Sequence, residues 1–224
     1  MKEIDIPVKT ISILLDYVFS NIDKSKLGEF PFYTRVDNDL LQKAFSDVID
    51  VDCVTTAYIY AHDEPIALHV DRYKKDSLYN LCVPLMTEDL DQRFLVFDQI
   101  FDQCGCVWEF DNGIRTHHQP LTKNDETQSN NDNNHDKTIA YIGQRPFDTQ
   151  GIVGLSNSSI SEELANYLPH NRDFYHGLTG TAWHWKPGKG LIFKSSQIHG
   201  TGKQFSFKIG CVLLLNSEDF LKTQ

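Results

Sequence analysis

The segment Pro65-Ile66-Ala67-Leu68-His69-Val70-Asp71-Arg72 sets a histidine and a carboxylate two residues apart within an apolar run. In an extended strand, positions i and i+2 project from the same face, so His69 and Asp71 point together into one cavity. An imidazole and a carboxylate presented in this way are two potential metal ligands, although the bare His-x-Asp pattern also suits a surface turn. A third donor must then arrive from elsewhere in the chain. His199 offers one at the end of the apolar run that begins Gly190-Leu191-Ile192-Phe193, and His184 is its rival. Two imidazoles and one carboxylate form a facial triad that leaves coordination positions open on iron(II).

The pattern around these residues is mainly that of short strands. Before them, Val8, Ile11, Leu15, Val18 and Ile22 recur at helical spacing and predict an amphipathic helix over 8–22. A second helix is expected over about 38–49, with Asn38 or Asp39 at its cap; both helices would cover a sheet. From residue 51 the period changes. Residues 54–60 are β-branched or aromatic, with Tyr58 and Tyr60 on one face, and the turn at 62–65 suggests a hairpin into the His69 strand. Residues 78–86 alternate so that Asn80, Cys82 and Pro84 share a face, and a buried Asn80 requires partners in a polar cavity. Further strands are expected at 93–97 and 106–110, joined by a turn at 102–105.

From Gly113 to Lys137 the periodicity collapses into polar residues rich in Asn and Asp, which reads as a mobile insertion with His117, His118 and His135 solvated. A strand at 138–142 and a short helix reaching Leu168, with Ser159-Ile160-Ser161-Glu162 as its capping box and Pro169 as its stop, follow. Residues 180–185 are strand-like, with Trp183 and Trp185 toward a core and His184 on the other face; 191–193 and 205–216 complete the set.

At 224 residues, with 40% hydrophobic and 23% charged residues, the chain is long enough for one sizeable core. A single domain over 1–224 is expected: a helical buttress at 1–50, the first half of a β fold at 51–112, an insertion and entrance region at 113–180, and the second half at 181–217. The net charge of −10 disfavours a protein that tracks a nucleic-acid backbone. No apolar stretch approaches a membrane span, and five cysteines without a Cys-x-x-Cys pair read as reduced thiols, so a cytoplasmic location is expected.

The order His69-x-Asp71, a long intervening region, Pro187-Gly188-Lys189-Gly190-Leu191-Ile192-Phe193, His199 and then a basic residue in the last strand resembles the Fe(II)/2-oxoglutarate-dependent oxygenases. The resemblance spans roughly residues 54–216, apart from the middle. It implies a double-stranded β-helix, or jelly roll, and favours His199 over His184 as the third ligand of Fe(II). It also implies that Lys208 binds the distal carboxylate of 2-oxoglutarate, where many members use arginine, with Lys203 a weaker candidate. Tyr60, and secondarily Tyr58, then take the position of a tyrosine near the cosubstrate, and Asn80 faces the same cavity. The implied reaction consumes O2 and 2-oxoglutarate, releases succinate and CO2, and hydroxylates a small molecule or an amino-acid side chain. The alternatives are a non-catalytic jelly-roll binding module and a cupin-type metalloenzyme that uses no 2-oxoglutarate; oligomeric state is left open. Because residues 123–135 offer nothing to a core, deleting them is expected to leave the melting temperature nearly unchanged in a thermal scan, and a large drop would show that they pack.

Overall fold

Alternating burial along the chain resolves into two facing antiparallel sheets with few helices. The computed structural model describes residues 1–21, 32–63, 68–71, 78–101, 106–111, 114–118, 152–157, 159–169, 172–175, 177–203, 206–217 and 219–221. In chain order the elements are β1 (Lys2–Asp5), α1 (Val8–Asn21), β2 (Phe32–Arg35), α2 (Asn38–Phe45), β3 (Val54–His62), β4 (Leu68–Val70), β5 (Tyr79–Thr87) and β6 (Arg93–Phe101). They continue with β7 (Cys106–Asp111), β8 (Ile114–His118), β9 (Ile152–Val153), α3 (Glu162–Ala165), β10 (Gly180–His184), β11 (Lys189–Lys194), β12 (Gln197–Thr201) and β13 (Lys208–Leu215). One sheet runs β1-β11-β5-β13-β3-β2 and the other β10-β6-β12-β4-β7-β8, with β9 beside β6. This is the double-stranded β-helix.

Period-2 alternation decides which side chains enter the space between the sheets. On β5, Leu81 and Val83 pack outward under the helices, whereas Cys82 joins the inner cluster with Phe94, Val96, Trp185 and Phe193. On β13, Ile209, Cys211 and Leu213 face outward and Lys208, Gly210 and Val212 alternate with them. Helices α1 and α2 cover that outer face with Ile11, Leu14, Val18, Leu41, Ala44 and Phe45, and the Thr10 hydroxyl donates to the Ala44 carbonyl at 2.7 Å to lock the pair. The outer face of the second sheet, Leu95, Phe97 and Phe101, is covered by Ile160, Leu164, Leu168 and Tyr175. Both predicted tryptophans are buried in the inner cluster.

Several local expectations are corrected. Helix α2 is capped by Asp37, whose carboxylate accepts from Leu40 N at 2.8 Å, and it ends at Phe45 instead of continuing to 49. The segments 54–60 and 68–70 are not a hairpin: β3 pairs with β2 and β13, and β4 with β12 and β7, so the chain crosses between sheets there. Strands β6 and β7 share a sheet without pairing, since β12 and β4 lie between them. Residues 114–118, expected to be loop, form β8 against β7, because ladder hydrogen bonds need no apolar periodicity. The short helix is capped by Ser161, whose hydroxyl accepts from Leu164 N, and ends at Ala165. The turn at 102–105, the segment 123–135 and the strand at 138–142 lie outside the described residues.

Leu14 is fully buried beneath α1 and remote from the inner face. Leu14→Ala is expected to lower unfolding free energy by about 2–5 kcal/mol, the usual cost of such a cavity, as read by urea denaturation.

Candidate metal centre

Strand β4 is only three residues long and lies between β12 and β7. Its pairing with β12 puts His69 directly opposite His199, on one face, with ring centroids 4.2 Å apart. Asp71 follows β4 immediately, and its amide donates to the Ser195 carbonyl at 3.0 Å, while Ser195 N in turn donates to Leu78 O at 3.0 Å. The carboxylate is thereby held at the end of the same face. Against β6, β12 carries a register irregularity between Gln197 and His199, the kind of bulge that re-aims a side chain. Gln197 fixes it by donating from Nε2 to Phe97 O at 2.9 Å and accepting at Oε1 from Lys194 N at 3.0 Å.

The three donor groups lie within 4.8 Å of one another. His69 Nε2 is 3.4 Å from Asp71 Oδ1, and His199 Nε2 is 3.1 Å from Asp71 Oδ2. His199 is enclosed by the rings of Phe193, at 4.8 Å, and Phe94, at 5.7 Å, whereas His69 and Asp71 stay partly accessible. The centre is therefore dry on one side and open on the other.

The protonation pattern is legible from the partners. His199 Nδ1 lies 2.8 Å from the Gln197 carbonyl, which can only accept, so Nδ1 carries a proton and Nε2 is the nitrogen turned to Asp71. Burial, then the neighbouring His69, pull the His199 pKa down, and the Asp71 carboxylate opposes them. Burial alone would push the Asp71 carboxyl up, but His199 and His69 reverse this and hold it well below the usual carboxylate range. His199 Nε2 and Asp71 Oδ2 lie 3.1 Å apart, close enough to share a proton in the metal-free site. With that proton released, two imidazoles and a carboxylate are a donor set suited to iron(II).

Of the other candidates, Asn80 is fully buried and its Nδ2 donates to Asp71 Oδ2 at 2.7 Å. Lys208 is also fully buried, its ammonium 4.7 Å from the centre of the Trp185 ring, with no hydrogen-bond partner for Nζ among the described residues. Tyr60 packs against Trp185 and His62, and its hydroxyl lies 3.5 Å from Cys82 Sγ. Tyr58 is on the same face but opens to solvent. His184 is exposed, with Nε2 on the Leu90 carbonyl, and Lys203 is exposed in the loop after β12, so neither joins the group. The walls from Phe94 and Phe193, the Trp185 ring under Lys208 and the carbonyl of Gln197 were not singled out from the sequence. An aromatic in a strand and a backbone carbonyl carry no distinguishing signal.

No protein-family model and no curated protein matches the chain. Among solved structures, it is similar to the non-heme alpha-ketoglutarate-dependent epimerase SnoN from nogalamycin biosynthesis, with 8% identity over 94% of this chain and 76% of that one and a TM-score of 0.41. A variant of the iron and alpha-ketoglutarate-dependent endoperoxidase NvfI gives 9% identity over 96% and 79% at a TM-score of 0.36. EvdO2 from Micromonospora carbonacea var. aurantiaca, complexed with 2-oxoglutarate, gives 10% over 98% and 70% at 0.30. Overlap at these levels carries no weight for the reaction, which the site's own chemistry must decide.

His199→Ala is expected to abolish tight Co(II) or Fe(II) binding in anaerobic calorimetry. His184→Ala is expected to leave it unchanged, and equal effects would remove His199 from the site.

Proposed function

We propose that the chain is an Fe(II)- and 2-oxoglutarate-dependent oxygenase that hydroxylates a small molecule or an amino-acid side chain. The observation that carries this reading is the convergence of His69, Asp71 and His199, whose potential ligand atoms lie within 4.8 Å of one another. His69 Nε2, His199 Nε2 and one Asp71 oxygen would hold the iron on one side and leave its other positions open. When bound, iron with 2-oxoglutarate and O2 supplies the oxidising power, releasing succinate and CO2 and transferring one oxygen atom to the substrate.

Lys208 supports 2-oxoglutarate as the cosubstrate. A buried ammonium without a hydrogen bond is costly, and burial has lowered its pKa to about 7. On the inner face of β5, Asn80 donates to Asp71, and Cys82, two residues on, belongs to the cluster with Trp185, over whose ring the Lys208 ammonium lies. A short dicarboxylate chelating the metal at one end would bring its second carboxylate to Lys208 at the other. The formal charges then cancel: one negative on Asp71, one positive on Lys208, two positive on the cation and two negative on the diacid. Cancellation is what an enclosed site requires.

Tyr60 and Trp185 exclude water around Lys208. Gly210 makes room for both, since a Cβ there would come within 2.6 Å of Tyr60 and 2.8 Å of Trp185. A small-molecule or amino-acid-type substrate, and a cytoplasmic site of action supported by the free thiols of Cys53, Cys82 and Cys211, belong to the same proposal. Among the described residues no helix is long and apolar enough to cross a membrane.

Iron-dependent conversion of 2-oxoglutarate to succinate by the purified chain tests the reading; metal-loaded protein that neither binds nor consumes 2-oxoglutarate would refute it. Lys208→Ala is expected to keep iron but weaken 2-oxoglutarate binding about 10- to 100-fold, the worth of a charge-assisted hydrogen bond. The pH dependence follows from the depressed Lys208 pKa. Below pH 7 the ammonium is already charged, whereas above it a proton must be taken up with the diacid. Anaerobic calorimetry should therefore show the 2-oxoglutarate Kd rising by up to about tenfold per pH unit above neutrality, and flat with Lys208→Arg.

A further inference from the structure

We infer that the substrate is a small molecule joining a planar ring to one carboxylate, held at the open edge of the sandwich with its ring on Tyr33 and Tyr58 and its carboxylate on Arg35. This rests on the oxygenase reading above and names the class of compound that the same site takes. The two edges of the sandwich differ. At the β1 and β10 edge, Trp183 Nε1 donates to Glu3 Oε2 at 2.8 Å across the gap and ties the sheets together. At the opposite edge the last described strands are β2 and β8, with β4 and β12, which carry His69 and His199, lying between the two edges. His199 is enclosed while His69 and Asp71 stay partly accessible, so the centre has an approach left to it.

Strand β2 pairs with β3 so that Tyr33 stands opposite Tyr60 and Arg35 opposite Tyr58. Tyr60 belongs to the inner cluster, and period 2 then sets Tyr33, Arg35 and Tyr58 on the same inner face. The inner aromatics Phe94, Phe193, Trp183 and Trp185 are buried, whereas Tyr33 is 56% and Tyr58 37% exposed. The Tyr33 ring lies 6.4 Å from that of Tyr60, which continues the aromatic wall outward. Burial, and then the Asp71 carboxylate, raise the Tyr33 pKa, as for a group in the wall of an open cleft that shares its field with the metal centre. Arg35 is exposed, and its guanidinium makes no hydrogen bond or ion pair with the described residues. Asp37, two residues on, is spent on the cap of α2. Since the charges of Asp71, Lys208, the cation and the diacid cancel, Arg35 is the cation left over for the substrate. One guanidinium matches one carboxylate, whereas a phosphate dianion would need a second cation. Two strand spacings, about 10 Å, separate β2 from β13, the reach of a one- or two-ring molecule with a short acidic arm.

The test is anaerobic calorimetry on the full-length chain loaded with Fe(II) and 2-oxoglutarate, which keeps the probes off the metal and Lys208. The probes are phenylacetate, 3-phenylpropanoate and indole-3-acetate, each beside its neutral amide. At least one acid is expected to bind about tenfold more tightly than its amide, the worth of a charge-assisted hydrogen bond. Arg35→Gln should cancel that preference, and Arg35→Lys, should the glutamine variant fail to fold, should reduce it because the fork is lost. Lys43→Gln removes the same charge from the exposed side of α2 and should keep it. Tyr33→Ala and Tyr58→Ala should weaken acid and amide alike, by about 3- to 10-fold. Acids that bind no better than their amides, or not at all, would overturn the inference, as would a preference that survives in the Arg35 variants or falls equally with Lys43→Gln. In each of those cases the parent still takes up Fe(II) and 2-oxoglutarate; a parent that takes up neither would overturn the oxygenase reading and this inference with it, so the two failures are distinguishable.

Discussion

The pairing of β4 with β12 is the constraint on which the site depends, because it alone sets His69 opposite His199. A slip of one residue would turn either histidine to the other face of the sheet. Three residues of ladder are a weak guarantee of register, and the structure adds a chain of backbone contacts just beyond it. Asp71 N is bonded to Ser195 O, and Ser195 N to Leu78 O, which ties the end of β4 to the β11–β12 connection and the start of β5. Gln197 pins the other side of the bulge. The carboxylate and the second imidazole are thus delivered by the same set of strand-end contacts, with α1 and α2 contributing only from outside the opposite sheet.

The interior between the sheets is an unusual compromise. It contains aromatic walls of Phe94, Phe193, Trp183 and Trp185, and yet also Asn80, His199 and Lys208, all nearly or fully buried. A fold that only had to be stable would place apolar groups there, since unpaired buried polar atoms lower stability. The helix-covered cluster on one outer face and the α3-side cluster on the other supply the apolar burial that offsets this deficit. Stability is concentrated outside the sandwich, and the inner face is left to chemistry.

Much of this was legible in the sequence, for identifiable reasons. The His69-x-Asp71 spacing is strand geometry, and the alternation at Asn80, Cys82 and Lys208 gave their face correctly because period 2 leaves no freedom. The α1 stripe marked its buried side at Ile11 and Val18, but Val8 is exposed and Leu14, outside the stripe, is fully buried. What failed was pairing. The short link between 62 and 68 looked like a hairpin, but proximity in sequence does not say whether a chain folds back within a sheet or crosses to its partner. The cap of α2 was expected at Asn38 or Asp39 and falls at Asp37, because all three are competent caps. The Gln197 carbonyl that sets the His199 tautomer, and the Trp185 ring beneath Lys208, are tertiary meetings with no local signature.

The most direct measurement is an anaerobic crystal structure of the chain with Mn(II) and 2-oxoglutarate. The account predicts an anomalous peak bonded to His69 Nε2, His199 Nε2 and the Asp71 carboxylate, with the diacid chelating that ion and its far carboxylate on Lys208 Nζ. A peak elsewhere, or a diacid bound away from Lys208, would contradict it.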